Sequence, residues 1–260
     1  MFFICIFSKA KSKDLKMCYQ KSLYQSEINL TKYIKKPPVE KDILEPYHLN
    51  DGFAHNTIYI LPMDEPGHWY PAKWGLVPSF ADAETFYKEG KYNTLNARDD
   101  KVFDSRLYSG PIRESRCLVF ADGFFEPHHI GKQSQPYFCY LENSTDFYSR
   151  DIFCFAGIYN KDNKGIYSVS LITVKANPLF EKVHNKARRM PLVLDRELET
   201  EWVSAAQPDP VIKDLMKDGF TSKSFRAHPV INYRLKVNRE LKDTSKVVEP
   251  VEALDPFLEL

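Results

Sequence analysis

Apolar runs from Cys117 to Phe120, Tyr137 to Leu141, Ile152 to Tyr159 and Tyr167 to Val174 crowd the middle of this chain. Each is short, rich in β-branched and aromatic residues, and closed by turn formers such as Asn143-Ser144 and Asp162-Asn163. Runs of that length and composition are strands rather than helices. A chain with such a centre must build itself around a β core. Thr57 to Leu61 and Trp69 to Leu76 predict two further strands. Helices are expected towards the ends. Leu23, Ile28, Leu30, Tyr33 and Ile34 recur at helical spacing across residues 19 to 35, until Pro37-Pro38 stops them. Thr85 to Glu89 ends at Gly90. Asp195 can cap a helix running to Ser204. Asp209 and Pro210 can start another as N-cap and first residue, with Gly219 as its stop. No repeat or Pro/Gly/Ser linker divides the chain, so a single α+β, strand-rich domain is expected. The charged tail beyond Glu240 is expected to fray.

The 260 residues are 43% hydrophobic, enough for a large core and too apolar for a disordered chain. The formal net charge of +1 excludes a uniformly basic nucleic-acid binder, so any contact with nucleic acid must come from a local patch. Cys5, Cys18, Cys117, Cys139 and Cys154 show no CxxC pair and no metal-ligand spacing. They indicate a reducing compartment, the cytoplasm, and no metal or other cofactor. No apolar run approaches the ~20 residues of a membrane span. Residues 1 to 16 form a stub unlike the rest: Phe2 to Phe7 is apolar, and Lys9, Lys11, Lys13 and Lys16 follow it, the reverse of a secretory signal. Met17 is a second candidate start. Losing the stub removes four lysines and Asp14, and leaves +1 − 3 = −2.

Chemistry is concentrated in four segments. Were Cys18 the first residue, it would present a thiol and a free amine on adjacent carbons, with ordinary pKa values near ~8.5 and ~7.7–8.0. An aldehyde meeting that pair forms an imine, and the sulfur closes a thiazolidine ring. As an internal residue, Cys18 is an ordinary small apolar side chain. Asn96-Ala97-Arg98 joins a donor–acceptor amide to a guanidinium fork suited to phosphate. The same residues equally make a surface loop paired to Asp99 or Asp100. Phe120 to Glu126 ends in a carboxylate behind two aromatics, where apolar neighbours would raise its pKa; the alternative is a strand end with Glu126 in water. His184 lies among Lys182, Lys186, Arg188 and Arg189, with Lys175 nearby. That is either a proton carrier beside a backbone-binding patch or a solvated basic loop.

Eight short matches in order make the chain resemble the SRAP (SOS response-associated peptidase) family. They are Met17-Cys18, Trp74-Gly75-Leu76-Val77-Pro78, Asn96-Ala97-Arg98, Asp122-Gly123-Phe124-Phe125-Glu126, Phe155-Ala156-Gly157-Ile158, Ala176-Asn177-Pro178-Leu179, His184-Asn185 with Arg189-Met190-Pro191, and His228-Pro229-Val230. The resemblance implies a barrel-like β core flanked by helices over residues 17–240, a tail over 241–260, and a groove for single-stranded DNA. It implies that a monomer cross-links itself to abasic sites through Cys18, within the DNA-damage (SOS) response, with some lyase activity as a side reaction. Asn96 would hold the N-terminal residue and the sugar, Arg98 the neighbouring phosphate. Glu126 and His184 would move protons. Lys186, Arg188 and Arg189 would bind the DNA backbone, and Trp74 with Phe124 and Phe125 would wall the site or stack bases. The competing readings are a thiol peptidase that removes its own leader, with Cys18 as nucleophile and His184 as base, and a plain single-strand binding module. The sequence departs from the family at Asp100, where Glu is usual, and at Pro127, where a large residue is usual. His128 and His129 follow it.

Overall fold

The computed structural model describes residues 19–218, 224–256, 258 and 260. The strands are β1 (Gln20–Leu23), β2 (Tyr47–Asp51), β3 (Thr57–Pro62), β4 (Tyr70–Trp74), β5 (Asn96–Arg98), β6 (Arg116–Ala121), β7 (Gly123–Ile130), β8 (Gln133–Leu141), β9 (Phe153–Lys161), β10 (Tyr167–Lys175), β11 (Arg189–Pro191), β12 (Val193–Leu194) and β13 (Phe225–Pro229). The helices are α1 (Glu27–Ile34), α2 (Ala83–Glu89), α3 (Pro111–Glu114), α4 (Pro178–Val183), α5 (Arg196–Trp202) and α6 (Asp209–Asp218).

Strands β10, β4, β3, β6 and β9 pair in that order, and β9 pairs back to β10, closing a five-stranded barrel. The β10–β4 pairing is parallel; the others are antiparallel. Closure leaves the barrel without a free edge along those strands. Strands β5 and β11 add to β10, and β12 adds to β9. A second, antiparallel sheet runs β13-β8-β7-β1-β2. The chain passes from barrel to second sheet at Asp122, between β6 and β7. The fold is α+β with a barrel core, as expected.

Much of the family-like sequence serves packing. Gly75 has φ +118°, which an L side chain rarely adopts, and it follows buried Trp74. A Cβ on Gly123 would stand 2.3 Å from Phe138 Cζ, so only glycine lets β7 approach β8 there. Phe124 is wholly buried, with ring centroids of Phe155, Phe180 and Phe225 at 5.6, 5.4 and 5.7 Å.

Some expectations need correction. Residues 19 to 35 are not one helix. Gln20–Leu23 is a fully buried strand, and α1 starts only after Ser26, whose side chain accepts from Asn29 N. The strand predicted over Trp69 to Leu76 is shorter, Tyr70–Trp74. α6 includes Asp209 rather than following it, and the proposed stop at Gly219 lies outside the described residues. The tail does not fray throughout. Val247 and Val248 are buried with Phe125, Phe138 and Tyr140, and Val248 O faces His228 Nε2 at 2.8 Å.

Candidate active site

Glu126 lies on β7 with no exposed surface. Burial raises its carboxyl pKa above the ordinary value, and His184 partly offsets that. No well-formed hydrogen bond reaches either carboxyl oxygen from a described residue. His184 Nδ1 is 3.1 Å from Glu126 Oε2, close enough for an ion pair though not aligned as a hydrogen bond. The same Nδ1 is 3.2 Å from the Arg189 carbonyl oxygen.

Local sequence puts His184 there. Asn177 caps α4 by accepting from Phe180 N at 3.0 Å, and Pro178 takes the first helical position. Six residues later the helix ends, with His184 as its C-cap and His184 N bonded to Phe180 O at 2.8 Å. The family-like Ala176-Asn177-Pro178-Leu179 is therefore a helix start that fixes where the histidine falls.

Asn96 and Arg98 sit on β5, paired in parallel with Leu171 and Thr173 of β10. Asn96 is buried. Arg98 is half-exposed and makes two bonds to Asp100, Nε to Oδ1 at 2.9 Å and Nη2 to Oδ2 at 2.6 Å. The shorter acid at position 100 thus still reaches the guanidinium, which holds its carboxyl below the usual range.

The basic segment divides. Lys186 and Arg188 are exposed, Arg188 with a left-handed φ of 50°. Arg189 turns inward: its side chain is only 12% exposed, and Nη2 bonds Asp99 Oδ1 at 2.5 Å and also the Thr173 carbonyl. With its own carbonyl beside His184, Arg189 links the Glu126–His184 pair to β5. That structural duty competes with the DNA contact expected of it. Trp74 requires correction too. It is fully enclosed, and its indole N–H donates to Leu95 O at 3.1 Å, so it cannot stack a base without opening the core. Phe124 and Phe125 are likewise core residues.

The N-terminal chain enters beside this group. Gln20, Lys21 and Ser22 pair with Phe125, Phe124 and Gly123, so the next step of the register sets Tyr19 against Glu126. Tyr19 is anchored by Gly52 N to its carbonyl at 2.7 Å and by Asn93 Nδ2 to its hydroxyl at 2.9 Å. Its ring lies 4.6 Å from that of half-exposed Phe53. Cys18, Met17 and the stub of residues 1 to 16 lie outside the described residues. Asn93 and Phe53 carry no motif, which hides them from sequence reading. Among the described residues no cluster of His, Cys, Asp and Glu could hold a metal ion, and no helix is long and apolar enough to cross a membrane.

Comparison with known proteins follows the same residues. Residues 17–237 match the family described as SOS response associated peptidase (SRAP). The chain is 29% identical over 181 residues to "Abasic site processing protein YoqW" of Bacillus subtilis (strain 168), covering 68% of this chain and 74% of that protein. It is 29% identical over 199 residues to "Abasic site processing protein HMCES" of Gallus gallus, covering 69% of this chain and 56% of that one. A crystal structure of a Bacteroides thetaiotaomicron protein superposes with TM-score 0.77 at 25% identity, over 90% of this chain and all (100%) of that one. With the match spanning most of its length, this chain belongs to the SRAP family.

Proposed function

We propose that this protein captures abasic sites in single-stranded DNA by covalent bond formation at Cys18. The observation that carries the reading is the buried Glu126, 3.1 Å from His184, placed one register step beyond the Gln20–Phe125 pairing. Cys18 directly precedes Tyr19 in the chain. The family match begins at Met17, and relatives in it are named for abasic-site processing.

The ring-opened deoxyribose offers an aldehyde carbon. With Cys18 as first residue, its amine adds to that carbon to give a carbinolamine. Glu126, whose carboxyl pKa burial raises, donates a proton to the leaving hydroxyl, and water departs to leave an imine. The Cys18 sulfur adds to the imine carbon, its proton passes to the imine nitrogen, and a thiazolidine results. Aldehyde and aminothiol give adduct plus one water. His184 exchanges protons with Glu126 and the sugar, and Asn96 orients the sugar. Loss of the 3′ phosphate from the imine by β-elimination is a minor lyase route that ring closure suppresses. Arg98, Lys186 and Arg188 hold the phosphate backbone. Stacking passes from Trp74 to Phe53, the half-exposed aromatic against Tyr19. We place this activity in the DNA-damage response of the cytoplasm, with the protein acting as a monomer.

The test is protein beginning at Cys18, incubated with abasic or intact single-stranded oligonucleotides and run on a denaturing gel. Abasic DNA should give an adduct one water lighter than its parts, and intact DNA none. Cys18→Ala should abolish it; an undiminished adduct in that variant overturns the assignment. The family's description favours a second reading, a thiol peptidase using Cys18 and His184. Peptide cleavage by a protein that ignores abasic DNA would establish it instead.

A further inference from the structure

The histidine at position 128 takes no part in the proposed chemistry, yet both its ring nitrogens have partners. Glu126 and His128 are two apart on β7, so their side chains leave the same face of the strand. α4 ends against that face. Glu126 meets His184, and His128, 3% exposed, meets the two residues before it: Nδ1 is 3.0 Å from Lys182 O and 3.1 Å from Val183 O. Those carbonyls belong to the last turn of α4. Carbonyl oxygens only accept, so Nδ1 must carry the proton.

The other ring nitrogen, Nε2, stands 3.4 Å from Asp255 Oδ2, on the C-terminal segment. That segment is itself held across the second sheet: Gln135 Nε2 donates to Glu252 O at 2.9 Å, Leu254 N to Gln135 Oε1 at 2.8 Å, and Val247 and Val248 are buried. With Nδ1 directed at the α4 carbonyls, Nε2 faces the C-terminal segment through Asp255. The other titratable groups around the ring are Tyr137, at 5.6 Å between centroids, and the Glu126–His184 pair on the same face. One residue along, His129 N donates to Asn185 Oδ1 at 3.0 Å and Asn185 Nδ2 returns to His129 O at 2.8 Å. His184 is thus bracketed on both sides by bonds to β7.

We infer that His128, backed by Asp255 of the C-terminal segment, is a positioning residue that fixes His184 against Glu126. The tail is by this inference part of the site's support. The inference rests on the proposed function only for its kinetic readout.

The test compares His128→Phe, His128→Gln and Asp255→Asn in the full protein. The pH–rate profile of adduct formation with abasic single-stranded DNA is measured alongside the histidine ring resonances by NMR. His128→Phe keeps the bulk and loses the donor. It should slow adduct formation about tenfold, since misplacement of reacting groups by ~1 Å can cost up to ~100-fold, and it should shift both limbs of the profile. His128→Gln, which keeps a donor, should recover most of the rate. Asp255→Asn should fall between, and it carries the test if His128→Phe does not fold. Unchanged rate and profile in the folded variants overturn the inference. Should wild type form no adduct, the functional reading fails by itself. The His184 resonances then decide: a shift in His128→Phe or Asp255→Asn upholds the positioning role, and their constancy ends it.

Discussion

Asp122 and Glu126 are both wholly buried carboxylates, four residues apart, and they are treated in opposite ways. Asp122 Oδ2 accepts from Tyr24 N at 2.8 Å, Gln25 Nε2 at 3.2 Å and Arg150 Nη2 at 3.2 Å. Arg150 also donates to Ser22 Oγ at 3.0 Å. These bonds tie β1 and the start of β7 together, and they compensate a charge that would otherwise be costly to bury. Among the described residues no well-formed hydrogen bond reaches the Glu126 carboxyl, whose nearest charged partner is His184 Nδ1 at 3.1 Å, and burial disfavours its anion. A buried acid furnished with donors holds the fold. One that no described residue furnishes with donors has its proton favoured by burial instead. The resemblance to the family spans both residues in a single match, Asp122 to Glu126, and their surroundings separate the two duties.

That contrast can be broken by experiment. Asp122→Ala strands Arg150 in the core, and the cost should be about 3–5 kcal/mol in denaturant unfolding; a loss no larger than that of Glu126→Ala would erase the distinction. Glu126→Gln should leave the fold intact and slow adduct formation by about 10²–10⁴-fold in single-turnover assays, the usual worth of a general acid. Phe53→Ala should weaken binding of single strands by about 1–3 kcal/mol in a fluorescence titration without changing the adduct chemistry. Thermal unfolding against pH sharpens the comparison further. An acid whose pKa is raised by folding adds no penalty below the ordinary carboxylate range. It destabilises the fold increasingly as the unfolded chain ionises, and fully above the folded pKa. Glu126→Gln should therefore match wild type at low pH and exceed it by a few degrees near neutrality, each kcal/mol being worth about 2–4 °C in a domain of this size. Equal curves would mean the raised pKa is absent. Smallest of all, Lys186→Ala should reduce the slope of log affinity against log salt by about 0.7 for a single strand.

The barrel was legible because its strands are mostly apolar, as β6, β9 and β10 show, and because turn formers punctuate them. Helix starts were legible where a cap has a chemical signature, as at Asn177-Pro178. β1 was hidden. Its Gln-Lys-Ser is polar but buried, since Lys21 Nζ reaches Tyr47 Oη at 2.6 Å and Phe120 O at 2.7 Å, and the Gln20 amide reaches Tyr233 Oη at 2.6 Å. Periodicity cannot register partners supplied from 26, 99 and 213 residues away. The same blindness misjudged Trp74, whose indole partner Leu95 O lies 21 residues on, and Arg189, whose acceptor Asp99 lies 90 residues back. Residue type proposed Glu126 and His184; their meeting depends on α4 ending against β7, which is a tertiary fact.

The place of β1 also sets a clock. It is wedged between β2 and β7, and the histidine that completes the pair stands 184 − 20 = 164 residues downstream of Gln20. At a ribosomal pace of about 5–20 residues per second, His184 is synthesised on the order of ten to thirty seconds after β1. Throughout that interval the Glu126–His184 pair is incomplete. The polypeptide therefore completes this buried pair only when most of its length has been made.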